Sequence, residues 1–211
     1  MKKHFTIKLI GCAVILMMSM SGIQAQDSAT PSTDDYNSYA RFGIRGGVII
    51  ANQTFENGNL DDNAKSKFGA DVAVMFNFPI GDGFFMLQPE LHWLQKGSVI
   101  EDINNDDITN TFNYLELPVL LRFNFGNSVK LFAFGGPSIG YLLSGKSGDV
   151  DIDKDLYEDL EWGAHLGVGV GLGALEIDVR YMAGLSDISE ADGNLGEVKN
   201  SAFGAGVTLK F

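Results

Sequence analysis

The chain has almost no thiol chemistry to offer. Cys12 is its single cysteine, and it lies within an apolar N-terminal run. A disulfide framework and a thiolate metal site are therefore excluded. Histidine is nearly as scarce, at positions 4, 92 and 165 only. Bases are few as well: 15 Lys and Arg stand against 27 Asp and Glu, a formal charge of −12. That balance excludes nucleic acid as a partner, because phosphate neutralisation needs clustered Lys and Arg. No segment supplies the ~20 consecutive apolar residues of a spanning helix. After residue 40 no stretch repeats with helical period either.

What is present begins with an export signal. Lys2, Lys3 and Lys8 make a basic start, Leu9 to Met18 is apolar, and small and polar residues follow up to Ala25. Residues 1–25 are expected to be a cleaved signal peptide. Residues 26–40 are polar and aperiodic, a flexible lead-in, and residues 41–211 form one domain. Removing Lys2, Lys3 and Lys8 with the signal leaves 12 bases against 27 acids, a charge of −15.

The domain alternates apolar and polar residues with period two. Phe68, Ala70, Val72, Val74, Phe76 and Phe78 share one face of residues 67–78. Leu115, Leu117, Val119, Leu121, Phe123 and Phe125 share one face of 111–125, opposite Glu116, Arg122 and Asn124. Such alternation is the signature of strands. It recurs over 41–50, 67–78, 84–96, 111–125, 129–143, 161–172, 175–183 and 200–211. Connections 51–66, 97–110, 144–160 and 184–199 are long and acidic, whereas 79–83, 126–128 and 173–174 are tight turns. Long loops alternating with short turns predict an all-β, eight-stranded antiparallel up-and-down transmembrane barrel, with long extracellular loops and short periplasmic turns.

Gly169, Gly171 and Ala174 also fit the relaxed dinucleotide pattern G-x-G-x-x-A. That motif needs a strand, a glycine turn and then a helix. Here strand alternation runs straight through the glycines, so they read as the small-residue wall of a narrow lumen. A soluble barrel of lipocalin type would bury the apolar faces instead. Aromatic-rich apolar faces, a glycine-lined opposite face and a terminal aromatic strand favour the membrane version. Phe203, Val207, Leu209 and Phe211 share the apolar face of that last strand and are expected to form the signal read by barrel-assembly machinery.

Charge placement follows from the alternation. The inward positions hold Asp71, Glu90, Glu116, Glu161, Glu176 and Asp178 with Arg41, Arg45, Lys67, Lys96, Arg122, Lys130, Arg180 and Lys210. The nearly balanced set predicts a paired lumen network, with Arg45, Asp71, Glu90, Glu116, Arg122, Glu176, Asp178 and Arg180 as its members. The four long connections hold 17 acids and four bases, so the rim is strongly acidic.

Two stretches carry a family resemblance. Asn113-Tyr-Leu-Glu-Leu-Pro-Val-Leu-Leu-Arg122 and Phe132-Ala-Phe-Gly-Gly-Pro-Ser-Ile-Gly-Tyr-Leu-Leu-Ser-Gly145 resemble the fourth and fifth strands of the PorT-like outer-membrane β-barrel family. The resemblance implies an eight-stranded barrel in the cell outer membrane of a Gram-negative organism. For the founding member it implies a part in type IX secretion. It supplies no catalytic residues and no cofactor.

Two further sets are candidate sites. Asp149, Asp151, Asp153 and Asp155 alternate like calcium-loop ligands, but Lys154 and Leu160 stand where such a loop needs glycine and glutamate. They are weak metal candidates on a solvated acidic loop. His92 and His165 face the lumen near Glu90 and Glu161, without a marked nucleophile. The expectation is a non-enzymatic, cofactor-free structural or interaction barrel. Its partners are outer-membrane lipid, the assembly machinery and a protein at the extracellular loops. The alternatives are a narrow transport pore and a barrel-embedded lipid or peptide hydrolase.

Overall fold

The computed structural model describes residues 40–56, 64–101, 107–126, 129–148, 150–151, 160–186 and 197–211. The expected signal peptide and most of the lead-in lie outside these residues. The strands are β1 (Arg41–Glu56), β2 (Ala64–Ile80), β3 (Phe85–Glu101), β4 (Asp107–Phe125), β5 (Lys130–Ser147), β6 (Val150–Asp151), β7 (Leu160–Leu172), β8 (Leu175–Gly184) and β9 (Glu197–Lys210). All pairings are antiparallel and join strands consecutive in the chain, apart from β1–β9 and from β5–β7, beside which the two-residue β6 folds back on β5. β1 pairs with both β2 and β9, and β4 pairs with β5, so eight strands close into a barrel. At the seam Phe211 N donates to Phe42 O at 2.8 Å, and the two rings stack 6.1 Å apart.

One expectation needs correction. The pattern predicts loop over 51–66, 97–110 and 144–160, yet strands occupy much of these stretches and β1 to β5 run 16–19 residues each. Crossing a membrane takes only about 9–11 residues per strand. Beyond that height the outward face meets water and need not be apolar, so alternation fades while the backbone ladder continues. Hydrophobic pattern reports burial and not pairing, which is why β6 and the strand extensions were invisible in it.

The outer wall is apolar, and the inside holds the charged side chains together with two apolar clusters. Two aromatic girdles bound the apolar band: Phe42, Phe85 and Phe123 near the short turns, and Phe68, Trp93, Trp162 and Phe203 toward the loops. From Phe85 to Trp93 the chain climbs about 26 Å along β3, or about 20 Å of height at ordinary barrel tilt.

The glycine run of β7 has a packing role. A Cβ on Gly167 would fall inside the Phe134 ring, and one on Gly169 inside the Phe132 ring. Both rings point into the lumen and are buried. These glycines are sockets for the rings of β5, and the chain turns at Gly173, at a left-handed φ of 61°, directly into β8. Gly46 lies on the outer wall with nothing within 4 Å of where a Cβ would stand. Gly46→Ala is expected to be neutral, whereas Gly167→Ala should cost about 1–3 kcal/mol by overpacking. Urea titration of the refolded barrels, followed by loss of the heat-modifiable band, measures the difference.

Candidate functional site

The inward side chains form three linked layers. Nearest the short turns, Arg122 on β4 grips Glu176 on β8 with two hydrogen bonds, Nη2 to Oε1 at 2.7 Å and Nη1 to Oε2 at 2.8 Å. Arg122 also donates to Asn124 at 2.8 Å and Gln88 at 3.2 Å, and its guanidinium lies 3.7 Å from the Phe132 ring centre. Lys210 meets Glu176 at 2.8 Å.

The middle layer holds Arg45, Asp71, Glu90, His92, Asp178 and Arg180. Arg45 bridges Asp71 and Asp178, and Arg180 bridges Asp178 at 2.9 Å and Glu90 at 2.8 Å. The two ring nitrogens of His92 face Asp71 and Glu90, an arrangement suited to an imidazolium donating twice. The layer then holds three cations and three carboxylates. Gly206 makes room for it, since a Cβ there would collide with the Arg45 guanidinium.

Toward the loops, Lys96 stands between Glu116 at 3.2 Å and Glu161 at 3.3 Å. His165 Nε2 meets Glu116 Oε1 at 2.7 Å, and Asn200 donates to Glu161 at 3.2 Å. Gln88 joins the first layer to Glu90. The His92 and His165 rings, 5.8 Å apart, bring the second layer to the third. An apolar cluster of Ile49, Leu94, Phe112, Tyr114, Leu142 and Met182 fills the remaining loop-side space.

All eight residues of the expected network thus face one lumen, and each is buried. The alternation did not disclose the apolar cluster, although Leu94 is in phase with His92, and Phe112 and Tyr114 with Glu116. Nor did it single out the amides Asn77, Gln88, Asn124 and Asn200 as bridges. Phe203, Val207, Leu209 and Phe211 all lie on the outer wall, exposed. Asp149, Asp153 and Asp155 lie outside the described residues, and for Asp151 only the backbone, in β6, is described.

A closed eight-stranded barrel with an apolar exterior and a charged interior is the architecture of outer-membrane proteins. Residues 24–190 match the family described as outer membrane protein beta-barrel domain. The chain belongs to this family. The barrel therefore resides in the cell outer membrane. Among solved structures it is similar to Neisserial surface protein A, at 14% identity over 82% of this chain and 99% of that one, with a TM-score of 0.51. It is also similar to the outer membrane enzyme PagL, at 12% identity over 77% and 98% with a TM-score of 0.48. Ail of Yersinia pestis matches at 15% over 82% and 99%, with a TM-score of 0.45. At 14% identity the likeness to Neisserial surface protein A shows the fold alone. No curated protein sequence matches the chain.

The middle layer sets the energetic stake. Arg45→Met would leave Asp71 and Asp178 buried with a guanidinium removed between them, and breaking such a pair costs about 3–5 kcal/mol. Urea unfolding in lipid vesicles should show that loss, and Asp178→Leu added to Arg45→Met should recover part of it.

Proposed function

We propose that this barrel is a non-enzymatic structural or interaction component of the outer membrane, with the loop-side rim as its working surface. The filled lumen carries the reading: three polar layers and an apolar cluster leave no wide aqueous path among the described residues. Eight strands enclose little more than side chains, so the activity falls to what the barrel presents outside. The acidic connections, with 17 acids against four bases, suit a cationic or metal-bridged protein partner.

An enzyme is disfavoured by the geometry around His165. Its Nε2 is taken by Glu116, and Nδ1 has no hydrogen-bond partner among the described residues. No hydroxyl is thereby held against the free face of the base, as nucleophile activation requires. Both histidines are also buried. The finer role, an accessory of secretion in the manner of PorT, rests on the resemblance of 113–122 and 132–145. Assembly is proposed to run through the outward face of β9, with Phe211 closing on Phe42 as the last strand meets the first.

Planar-bilayer recordings of the refolded protein should show no stable, sizeable conductance. Reproducible open channels would favour the pore. In a deletion strain, His165→Gln should complement fully, because glutamine keeps a partner for Glu116. Converting Asp149, Asp151, Asp153 and Asp155 to Asn should weaken complementation at unchanged barrel levels. The opposite pattern would favour an enzyme, whose general base is typically worth 10²–10⁴ in rate.

A further inference from the structure

Above the loop-side girdle the outer wall changes character on β3, β4 and β5. The register stacks outward side chains there in rows. The first row is Trp93, Leu115 and Tyr141, and the second is Gln95, Asn113 and Ser144. The third is Gly97, Thr111 and Lys146. Moving away from the membrane centre, the wall thus passes from aromatic and aliphatic groups to amides and a hydroxyl, and then to a hydroxyl and a cation.

The second row is built by an irregularity. The β4–β5 register shifts between Asn113 and Tyr114, so that Tyr114 faces Leu142 while Asn113 faces Ser144. Leu143 is the extra residue. Without this bulge residue 144 would point into the lumen; with it, Ser144 stands outside beside Asn113. Bulges recur where a side chain has to be re-aimed.

The row is hydrogen-bonded internally but leaves capacity over. Gln95 Nε2 donates to Asn113 Oδ1 at 3.4 Å, and Asn113 Nδ2 donates to Ser144 Oγ at 2.9 Å. These two bonds use only part of the row's capacity, which also includes Gln95 Oε1, a second N–H on each amide and the Ser144 O–H. Donors and acceptors lie mixed in a line, half-buried, at the height where the apolar band ends.

We propose that this face, Trp93, Gln95, Asn113, Tyr141, Ser144 and Lys146, seats the phosphorylated sugar head group of an outer-leaflet glycolipid. Sugar hydroxyls both donate and accept, which matches the mixed capacity of the second row. Trp93 and Tyr141 flank Leu115 and place two aromatic rings at the height where sugar C–H groups would lie, while the acyl chains would continue down the apolar wall. Lys146 is exposed and is the outward-facing cation among the described side chains, on a rim that otherwise repels phosphate. A plain phospholipid would use Lys146 and leave the amide row idle, so the sugar is the distinguishing element.

The whole chain, refolded into phosphatidylcholine vesicles with and without lipooligosaccharide, tests this. The glycolipid should raise the temperature at which the wild-type heat-modifiable band is lost. Gln95→Leu with Asn113→Leu should lose most of the increment, measured against the same variant in phosphatidylcholine alone. Native mass spectrometry of lipooligosaccharide adducts should then show about tenfold weaker binding, as expected from two neutral hydrogen bonds. Lys146→Gln should weaken binding of phosphorylated but not of dephosphorylated lipooligosaccharide. Ser144→Ala, a smaller change, serves for the same comparison should the leucine pair refold poorly. Equal increments in wild type and variants would overturn the proposal. So would an increment reproduced in full by phosphatidylglycerol, which carries the phosphate without the sugar.

Discussion

Within hydrocarbon every backbone N–H and C=O must find a partner in the protein, and closure of β1 on β9 is what meets that demand here. Once the ring is shut, each strand has one face toward lipid and one toward a lumen too narrow for bulk water. The outer face must then be apolar. The inner face is free to be charged, but only if the charges satisfy one another. The sequence obeys both conditions strand by strand.

The second condition shapes the interior. Arg45, Arg122 and Arg180 come from three different strands, and each is held by at least one carboxylate from a strand that is not its neighbour in the sheet. Such pairs add little net stability against a well-packed apolar core, yet breaking one is costly. They act less as glue than as a register device, since a strand slipped by one residue would turn its charge into lipid. The phenylalanine rings of β5 obey the same geometry: they fit only because β7 presents glycine opposite them.

The fold was legible because burial and alternation coincide inside the membrane band. Phe68 to Phe78 and Leu115 to Phe125 keep an unbroken apolar outward face, and the inward charges could be assigned from phase alone. Legibility stopped where that coincidence stops. β3 and β4 continue to Glu101 and Asp107 in water, where no face is compelled to be apolar. The bulge at Leu143 was hidden because a single inserted residue changes phase without changing composition. The inward apolar cluster was masked by the reverse assumption, that in-phase positions of a lumen are polar, although Leu94 and Tyr114 are not. Which carboxylate each cation meets depends on distances across the ring, such as Arg180 to Glu90, and no local pattern encodes them.

The sockets of β7 have a spectroscopic side. At Gly167 and Gly169 the hydrogen occupying the side-chain direction points into an aromatic ring. At Gly163 and Gly171 the same direction meets Ser138 and Glu176 instead. Along one strand, two α-protons therefore sit within ring currents and two equivalent ones do not. Their chemical shifts make the strand an internal gauge of whether the Phe132 and Phe134 rings are seated, readable without any label or ligand.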